Sequence, residues 1–501
     1  MSHCSSQNDS VPEAPSARHS VHVLLAVHAL VWTIAAWLSR GNLDVPGDMV
    51  ENYTWGIEWQ AGYHSHPPLF AWVTAAWFKL FSRTDLAYFA LSALNAGLGL
   101  LGVHALAKRF LSRETAVVAT LALAVSPMYT SLAIKFNANA IQLSLWPWAV
   151  AMYVGFMRDG RARHLVICAV LTALAILGKY FSAVLALSMF IVALVIPAWR
   201  ARLRGWAPWL AVAAGLLVLT PHLLWMAEHS FSTLKFAQAR SAGEVGPALL
   251  RLLNFVAAQA LYLLPSLAFV LLVLARGQRL RSVALVLQGV LRPQRQPELW
   301  WLTWTPLLVI IAIVLVRHTE MASVWGIALW YSATTWWLAT LERQGVPLRT
   351  DLLKRIMIVI WLVVLALAAA LGLFNARKGK EDAVAPRAEL ARAAQLVWRD
   401  RVGGELRVVS GSVTESRSVA FYADGKIRWW NMLAPQTTPW LSEDDVRRTG
   451  LLIVCATEDQ ACITAAAALV PQAPTVINVH KTAWARDQAP RQFQLYLLPP
   501  G

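Results

Sequence analysis

Residues 355–374 read RIMIVIWLVVLALAAALGLF, and the only charged side chain in this stretch is the arginine that opens it. An α-helix of this length is about 30 Å long, which is the thickness of the hydrocarbon core of a bilayer. The composition changes after Phe374, because residues 375–400 are rich in charged side chains. The stretch therefore predicts a membrane span at the boundary between an apolar and a polar part of the chain.

Ten further apolar runs precede this one. They cover residues 21–39, 86–107, 115–134, 140–157, 164–179, 181–198, 207–226, 250–275, 299–316 and 321–341. The whole chain is 57% hydrophobic and 14% charged, whereas soluble globular proteins average about 25% charged residues. We therefore expect an all-α polytopic membrane domain with about 11 transmembrane helices.

The charge pattern predicts the orientation of these helices. The net charge is +16, and the basic residues cluster in short loops at 108–113, 158–163, 200–204, 276–295 and 343–355. These loops alternate along the chain, as cytoplasmic loops do under the positive-inside rule, so nucleic-acid binding is not expected. The pattern predicts a cytoplasmic tail (1–20), a membrane domain (21–374) whose first external loop covers 40–85, and an external C-terminal domain (375–501).

The C-terminal domain is predicted to be small and α/β. Its β-like runs are Leu406–Ser410, Leu451–Cys455, Thr475–Val479 and Gln492–Leu498, with an alanine-rich helical piece around 459–469. Cys455 and Cys462 lie close together, and a compartment outside the cytoplasm is oxidising. We expect a disulfide between them if the intervening turn brings their Cα atoms to about 4.4–6.8 Å; the alternative is two buried, reduced thiols.

The first external loop contains the most promising polar residues. It reads PGDMVENYTW at 46–55 and GYHSHPPL at 62–69. Asp48 and Glu51 are three residues apart, so in a helix they share a face and point into the same space. The alternative is a solvated loop with ordinary surface acids.

An aspartate early in this loop, followed by the His66-Pro67-Pro68 segment, resembles the GT-C superfamily of membrane sugar transferases. The nearest branch is glycosyltransferase family 39, the RgtA/B/C/D-like group, which is related to the protein O-mannosyltransferases and the lipid A aminoarabinose transferase. Supporting segments are KFNAN at 135–139, LGKY at 177–180, PHLLW at 221–225 and FSTL at 231–234. The resemblance covers residues 40–240.

The resemblance implies a function and a place in the cell. Such enzymes transfer a sugar from a polyprenyl-phosphate donor to a lipid, lipopolysaccharide, glycan or protein acceptor, at the outer face of the bacterial cytoplasmic (inner) membrane. Asp48 matches the aspartate of the family and would act as a general base or orient the acceptor. The leaving lipid phosphate would need cationic partners. No cofactor is implied.

The sequence departs from the family pattern at two places. Relatives often have a lysine before the two prolines, where this chain has His66. The other external cations are Lys135, Lys179, Lys235, Arg240 and Arg317, each of which has an alternative role as an interfacial anchor. Relatives also have a second acid where this chain has Asn137 and Asn139, so that role passes to Glu51 or is lost. The two asparagines either bind substrate or cap the next helix.

The candidate site follows from these residues. The candidate catalytic residues are Asp48 and Glu51, and the candidate substrate-binding residues are His64, His66, Lys135, Asn137, Asn139, Lys179, Tyr180, Arg240 and Arg317. We expect one cavity at the outer membrane boundary, without a metal, and its lining residues to be Asp48, Glu51, His64, His66, Lys135, Asn139 and Lys179. The alternative function is a transporter or flippase of a lipid-linked sugar. Transporters usually have charges near the middle of their spans, and these spans have almost none.

Overall fold

The structure is a computed structural model that describes residues 16–44, 47–241, 245–292 and 295–501. Most of the predicted tail 1–20, including Cys4, lies outside the described residues. The helices before residue 380 are α1 (Ser16–Arg40), α2 (Asp48–Gly56), α3 (Leu69–Leu80), α4 (Asp85–Ala107), α5 (Arg113–Ala124), α6 (Ile141–Asp159), α7 (Ala162–Gly178), α8 (Ala183–Val195), α9 (Pro197–Arg202), α10 (Ala207–Glu228), α11 (Ser232–Ser241), α12 (Val245–Val273), α13 (Arg279–Val290), α14 (Pro297–Arg317), α15 (Ala333–Arg343) and α16 (Leu353–Arg377). Each predicted apolar run overlaps one of these helices.

Six of the described helices are long and apolar enough to cross a membrane. They cover Val21–Arg40, Asp85–Ala107, Ala207–Glu228, Val245–Val273, Pro297–Arg317 and Thr350–Arg377. The prediction of a predominantly helical membrane protein is therefore confirmed. The helices pack side by side, with α1 between α4 and α16, and α7 between α6 and α10.

Two of the predicted spans contain much shorter helices than expected. The run 115–134 forms α5, which has 12 residues, and the run 321–341 forms α15, which has 11. Each is about 18 Å long or less, too short for the hydrocarbon core. Both are buried along nearly their whole length. Their apolar side chains therefore pack against protein, and irregular backbone next to them is tolerated because it too is enclosed.

The C-terminal part forms a mixed sheet with helices. Its elements are α17 (Glu381–Val384), α18 (Arg387–Arg401), β1 (Val408–Gly411), α19 (Val413–Tyr422), β2 (Arg428–Trp429), α20 (Glu443–Thr449), β3 (Leu451–Ala456), α21 (Gln460–Leu469), β4 (Thr475–Val479), β5 (Thr482–Ala483), β6 (Arg486–Asp487) and β7 (Arg491–Leu498). The main sheet has the order β2-β1-β3-β7-β4, and β5 pairs with β6 separately. Strand β1 is parallel to β2 and β3, whereas β7 is antiparallel to β3 and β4.

The predicted disulfide between Cys455 and Cys462 is present. Their Cα atoms are 5.7 Å apart, within the range that the bond requires. Cys455 lies in β3 and Cys462 in α21, so the bond ties this helix to the centre of the sheet. Cys168 is free and buried.

The C-terminal part packs on the first external loop. Phe421 of α19 inserts among aromatic rings of that loop and lies 5.2 Å from Tyr53 and 5.1 Å from Phe78, between ring centres. Arg428 forms a two-pronged ion pair with Glu58, at 2.8 and 2.6 Å. These contacts bring a helix of the C-terminal part beside Asp48 and Glu51.

Candidate active site

Helix α2 is held in place by an aspartate that precedes it. The Asp44 carboxylate accepts hydrogen bonds from the backbone N–H groups of Asp48 (3.0 Å) and Met49 (2.9 Å). These N–H groups have no partner within a helix, and an acid there also interacts favourably with the helix dipole. Gly47 makes the turn possible because its φ is +78°, where other residues are strained. The predicted pair Asp48 and Glu51 consequently lies on one face of a helix.

Lys135 joins two of the acids. Its Nζ atom lies 2.9 Å from Asp44 and 2.6 Å from Asp48. Burial alone would lower the pKa of Lys135, but the carboxylates of Asp44 and Asp48 outweigh it and raise the pKa above its usual value. The side chain of Asp44 is 3% exposed and that of Asp48 is 40% exposed. Asp44 is therefore an internal anchor, and Asp48 is the carboxylate that is open to the cavity.

The two asparagines have different contacts. Asn137 Oδ1 accepts hydrogen bonds from the backbone of Asn139 (2.9 Å) and Ala140 (3.1 Å), so it caps the turn that leads into α6. The Nδ2 atom of Asn137 also donates to Asp48, at 3.4 Å. Asn139 Oδ1 accepts from Lys179 at 2.5 Å. Asn137 thus combines the capping role and the site role that were weighed as alternatives.

Glu51 is paired with a residue from the C-terminal part. Arg417 Nη1 lies 2.7 Å from Glu51 Oε1. The guanidinium of Arg417 also lies 4.1 Å from the centre of the Trp429 ring, which fixes its position. Burial raises the pKa of the Glu51 carboxyl, Arg417 opposes that shift, and Asp48 adds to it. The site is therefore completed by α19, far along the chain.

The segment 61–66 is anchored to α10. His222 donates from Nδ1 to the Ala61 carbonyl (2.7 Å), and its Nε2 accepts from the Tyr180 hydroxyl (2.7 Å). Gly62 packs directly on Trp225, since a Cβ atom at Gly62 would lie 2.3 Å from that ring. The next residues turn back so that His66 and the two prolines lead into α3.

Two cavities meet at this site. The polar cavity has a volume of about 340 Å³, and six of the candidate residues line it: Asp48, Glu51, His66, Asn137, Asn139 and Lys179. The apolar cavity has a volume of about 370 Å³ and is lined mainly by aliphatic and aromatic side chains of α8, α14 and neighbouring segments. Ser65, His66, Lys179, Phe236 and Trp325 line both. The two cavities therefore share a common wall of cationic and aromatic groups.

Lys179 lies where the two cavities meet. Besides its hydrogen bond to Asn139, its Nζ atom lies 4.4 Å from the centre of the Trp325 ring. A cation held over an aromatic face keeps its charge and stays positioned. The arrangement can hold an anionic group between a polar and an apolar compartment.

The remaining candidate residues are outside the polar cavity. Tyr180 lines the apolar cavity, and its hydroxyl is used by His222. His64 packs against Phe236, with 5.7 Å between ring centres, and Lys135 supports Asp48 from outside. Arg317 is exposed and lines neither cavity of the described site. The side chain of Arg240 lies outside the described residues.

Sequence reasoning missed two residues of the site. Asp44 was not among the candidate residues, although its position before a helix was a signal for capping. Arg417 gave no local signal, because its partner is far away in the sequence. Among the described residues there is no group of three or more histidine, cysteine, aspartate or glutamate side chains that could hold a metal.

Comparisons with known proteins show what this chain is similar to. Residues 65–225 match the family model described as dolichyl-phosphate-mannose-protein mannosyltransferase. The lipid A galacturonosyltransferase RgtD of Rhizobium johnstonii is 27% identical over 240 residues, which are 47% of this chain and 50% of the relative. The chain thus matches about half the length of this curated relative. The predicted resemblance to the GT-C superfamily is confirmed.

A solved structure has a similar fold over nearly the whole chain. The crystal structure of ArnT from Cupriavidus metallidurans bound to undecaprenyl phosphate superposes with a TM-score of 0.63 at 14% sequence identity. The superposition covers 96% of this chain and 98% of ArnT. At this identity the likeness concerns the fold alone.

Proposed function

We propose that this chain is a glycosyltransferase that moves a sugar from a polyprenyl-phosphate donor to an acceptor at the outer membrane boundary. The observation that carries the proposal is the shared wall of the two cavities. An apolar cavity suits a polyprenyl chain, the polar cavity suits a sugar, and Lys179 and His66 lie where the phosphate between them would be. A transferase needs a group that accepts the proton of the attacking hydroxyl, and the Asp48 carboxylate lines the polar cavity where it could do so.

Asp48 is the proposed general base. The acceptor hydroxyl attacks the anomeric carbon of the donor and gives its proton to the Asp48 carboxylate. The bond between the anomeric carbon and the phosphate oxygen breaks, and the electron pair leaves with the lipid phosphate. The departing phosphate gains negative charge, which Lys179 stabilises and His66 can stabilise when it is protonated.

The surrounding charges fit this assignment. The ammonium group of Lys135 holds Asp48 in place. The same group also pairs with Asp44, so its positive charge is shared between two carboxylates. Glu51 is half-buried and paired with Arg417, so its proposed role is to orient the sugar or the acceptor rather than to shuttle protons. Asn139 accepts a hydrogen bond from the ammonium group of Lys179 and so holds it at the cavity.

The names of similar proteins suggest the class of substrate. RgtD is named for transfer of galacturonate to lipid A, and the ArnT structure contains undecaprenyl phosphate. We propose an undecaprenyl-type phosphate carrier for the donor and a glycolipid as the first acceptor to test, with glycan or protein acceptors next.

The proposed topology has eleven spans in the cytoplasmic membrane of a bacterium. Besides the six long helices, α6, α7 and α8 would each form a span, and the short helices α5 and α15 would complete two more together with the enclosed backbone next to them. The basic loops support a cytoplasmic N-terminus. The residues from 375 onward would then form a periplasmic domain that rests on the first external loop.

Mass spectrometry of surface glycolipids tests the proposal. Cells that lack the gene should lose one sugar residue from a surface glycolipid, and the parental gene should restore it. Purified protein with a polyprenyl-phosphate sugar in liposomes should release free polyprenyl phosphate in equal amounts to the sugar transferred. Movement of the intact donor across the bilayer without release would instead identify a flippase and contradict the proposal.

A further inference from the structure

A separate basic cavity lies at the opposite end of the helices from the candidate active site. It has a volume of about 370 Å³ and is formed by the start of α1, the end of α4 and the start of α5. Asp85 and Lys108 mark the two ends of α4, so the cavity is roughly 30 Å from the first external loop along the helix axis. This volume lies within the usual range for ligand sites.

The polar lining of this cavity is entirely basic. It consists of His22, His104, Lys108 and Arg113, and no carboxylate of the described residues lines the cavity. In the described part of the chain, no carboxylate lies within 4.0 Å of the cationic group of Lys108 or Arg113. Like charges that share a small space without counter-ions repel each other, so the cavity favours an anion.

His104 forms a fixed, buried part of the lining. The Thr120 hydroxyl donates to the Ala116 carbonyl at 2.8 Å, so it accepts from His104 Nδ1 at 3.2 Å. The imidazole is 7% exposed, and its orientation is set by this bond. His104 therefore forms a fixed wall of the cavity, and the exposed side chains of Lys108 and Arg113 supply the positive charge.

Apolar side chains complete the lining. Val21, Leu111 and Val117 contribute the rest of the wall, and α1 and α4 are both long enough to cross a membrane. A ligand in this position meets a phosphate-binding rim beside an apolar wall at the membrane surface. Basic pockets between transmembrane helices at the cytoplasmic surface are a known way of binding lipid headgroups.

From this arrangement we infer that the cavity between α1, α4 and α5 binds the phosphate headgroup of an anionic phospholipid. The inference is independent of the proposed transferase activity, since none of its residues lies at the candidate active site. A lipid headgroup and a soluble anion such as inorganic phosphate both carry the phosphate group that this cavity would bind. The apolar wall favours the lipid, because its acyl chains can pack against it.

The test uses the full-length protein in phosphatidylcholine nanodiscs to which cardiolipin is added, with bound lipid counted by native mass spectrometry. The double variant Lys108→Gln/Arg113→Gln removes both rim cations, which are exposed and have no ion-pair partner among the described residues. The matched control is Arg200→Gln/Arg204→Gln, which removes two exposed cations from another loop on the same side. In pure phosphatidylcholine, both variants should have the same unfolding temperature as the parent. This control checks that the substitutions leave the fold intact.

The parent should bind cardiolipin in preference to phosphatidylcholine, and the rim variant should bind it roughly tenfold or more weakly. The control should bind like the parent. An equal loss in both variants would show unspecific attraction to the membrane surface and overturn the inference. Saturation by inorganic phosphate without any preference for cardiolipin would assign a soluble-phosphate site and overturn the lipid assignment.

Discussion

Lys135 is the residue on which the acidic side of the site depends. It pairs with Asp44, which is buried, and with Asp48, which faces the cavity. Lys135→Met should lower the free energy of unfolding by about 1–3 kcal/mol, because a hydrogen bond to a buried charge is lost. Thermal unfolding in detergent measures the effect. Lys354→Met, an exposed lysine on another segment, is the control and should be neutral.

Gly62 is a position where the structure leaves no room for a side chain. A methyl group there would meet the ring of Trp225 at 2.3 Å, so Gly62→Ala should push the segment 61–66 away from α10. We expect lower thermal stability and a reduced rate of sugar transfer. Gly277→Ala is the matched control, because no atom lies within 4 Å of the added methyl group. Parental stability and rate in Gly62→Ala would show that the segment adapts without cost.

At this scale the sequence predicted the residues that act locally. The spacing of Asp48 and Glu51 was enough to place both on one helix face, and that face lines the polar cavity. Asp44 and Arg417 were missed, since their roles arise from a cap and from an ion pair between distant segments. The exposed position of Arg317 could not be seen either, because hydropathy does not show which way a side chain at a helix end points.

Among the elements of the C-terminal part, α19 has a direct contact with the candidate site, through the ion pair of Arg417 with Glu51. Arg417 lowers the pKa of Glu51, so its removal should raise that pKa further and keep Glu51 protonated up to a higher pH. If the ionised form is needed, the acidic limb of the pH–rate profile moves to higher pH in Arg417→Met. Arg417→Lys should retain part of the parental profile.

The double variant separates this effect from a general loss of structure. Glu51→Gln has no carboxyl to titrate, so adding Arg417→Met to it should not move the acidic limb. If the acidic limb of the pH–rate profile stays at its parental pH in Arg417→Met, the proposed effect of Arg417 on the ionisation of Glu51 is disproved.

Strands β1, β3, β4 and β7 and helix α21 were predicted to within a few residues, because alternation and turn residues mark them. The sequence did not predict α19, α20 or the short strands β2, β5 and β6. The helices α5 and α15 were overestimated. A window of apolar residues looks alike whether it faces lipid or protein, and both of these helices face protein.

For the whole molecule, the decisive property is its orientation in the membrane. Reporter fusions at Gly160 and after Gly501 should report the cytoplasm and the external side respectively, since the basic loops predict that arrangement. The fusion at the end of the chain leaves every strand of the sheet intact. A report of the same side from both positions would exclude the topology.

The general architecture was predictable from hydropathy and charge, whereas the packing of the C-terminal part on the first loop was not. That packing depends on Phe421 and on the ion pair of Arg428 with Glu58, which are contacts between distant segments. The sequence also did not predict that the two cavities share a wall, because that wall is formed by four separate segments, around residues 65, 179, 236 and 325.

The most direct test of the account is the turnover of Asp48→Asn with a polyprenyl-phosphate sugar and acceptor in membranes. The amide keeps the size of the side chain and cannot accept the proton, so the rate should fall by about 10²–10⁴-fold. Asp400→Asn, an exposed aspartate in α18, should keep the parental rate at equal expression and stability. Near-parental turnover by a folded Asp48→Asn protein would contradict the central claim that Asp48 is the base.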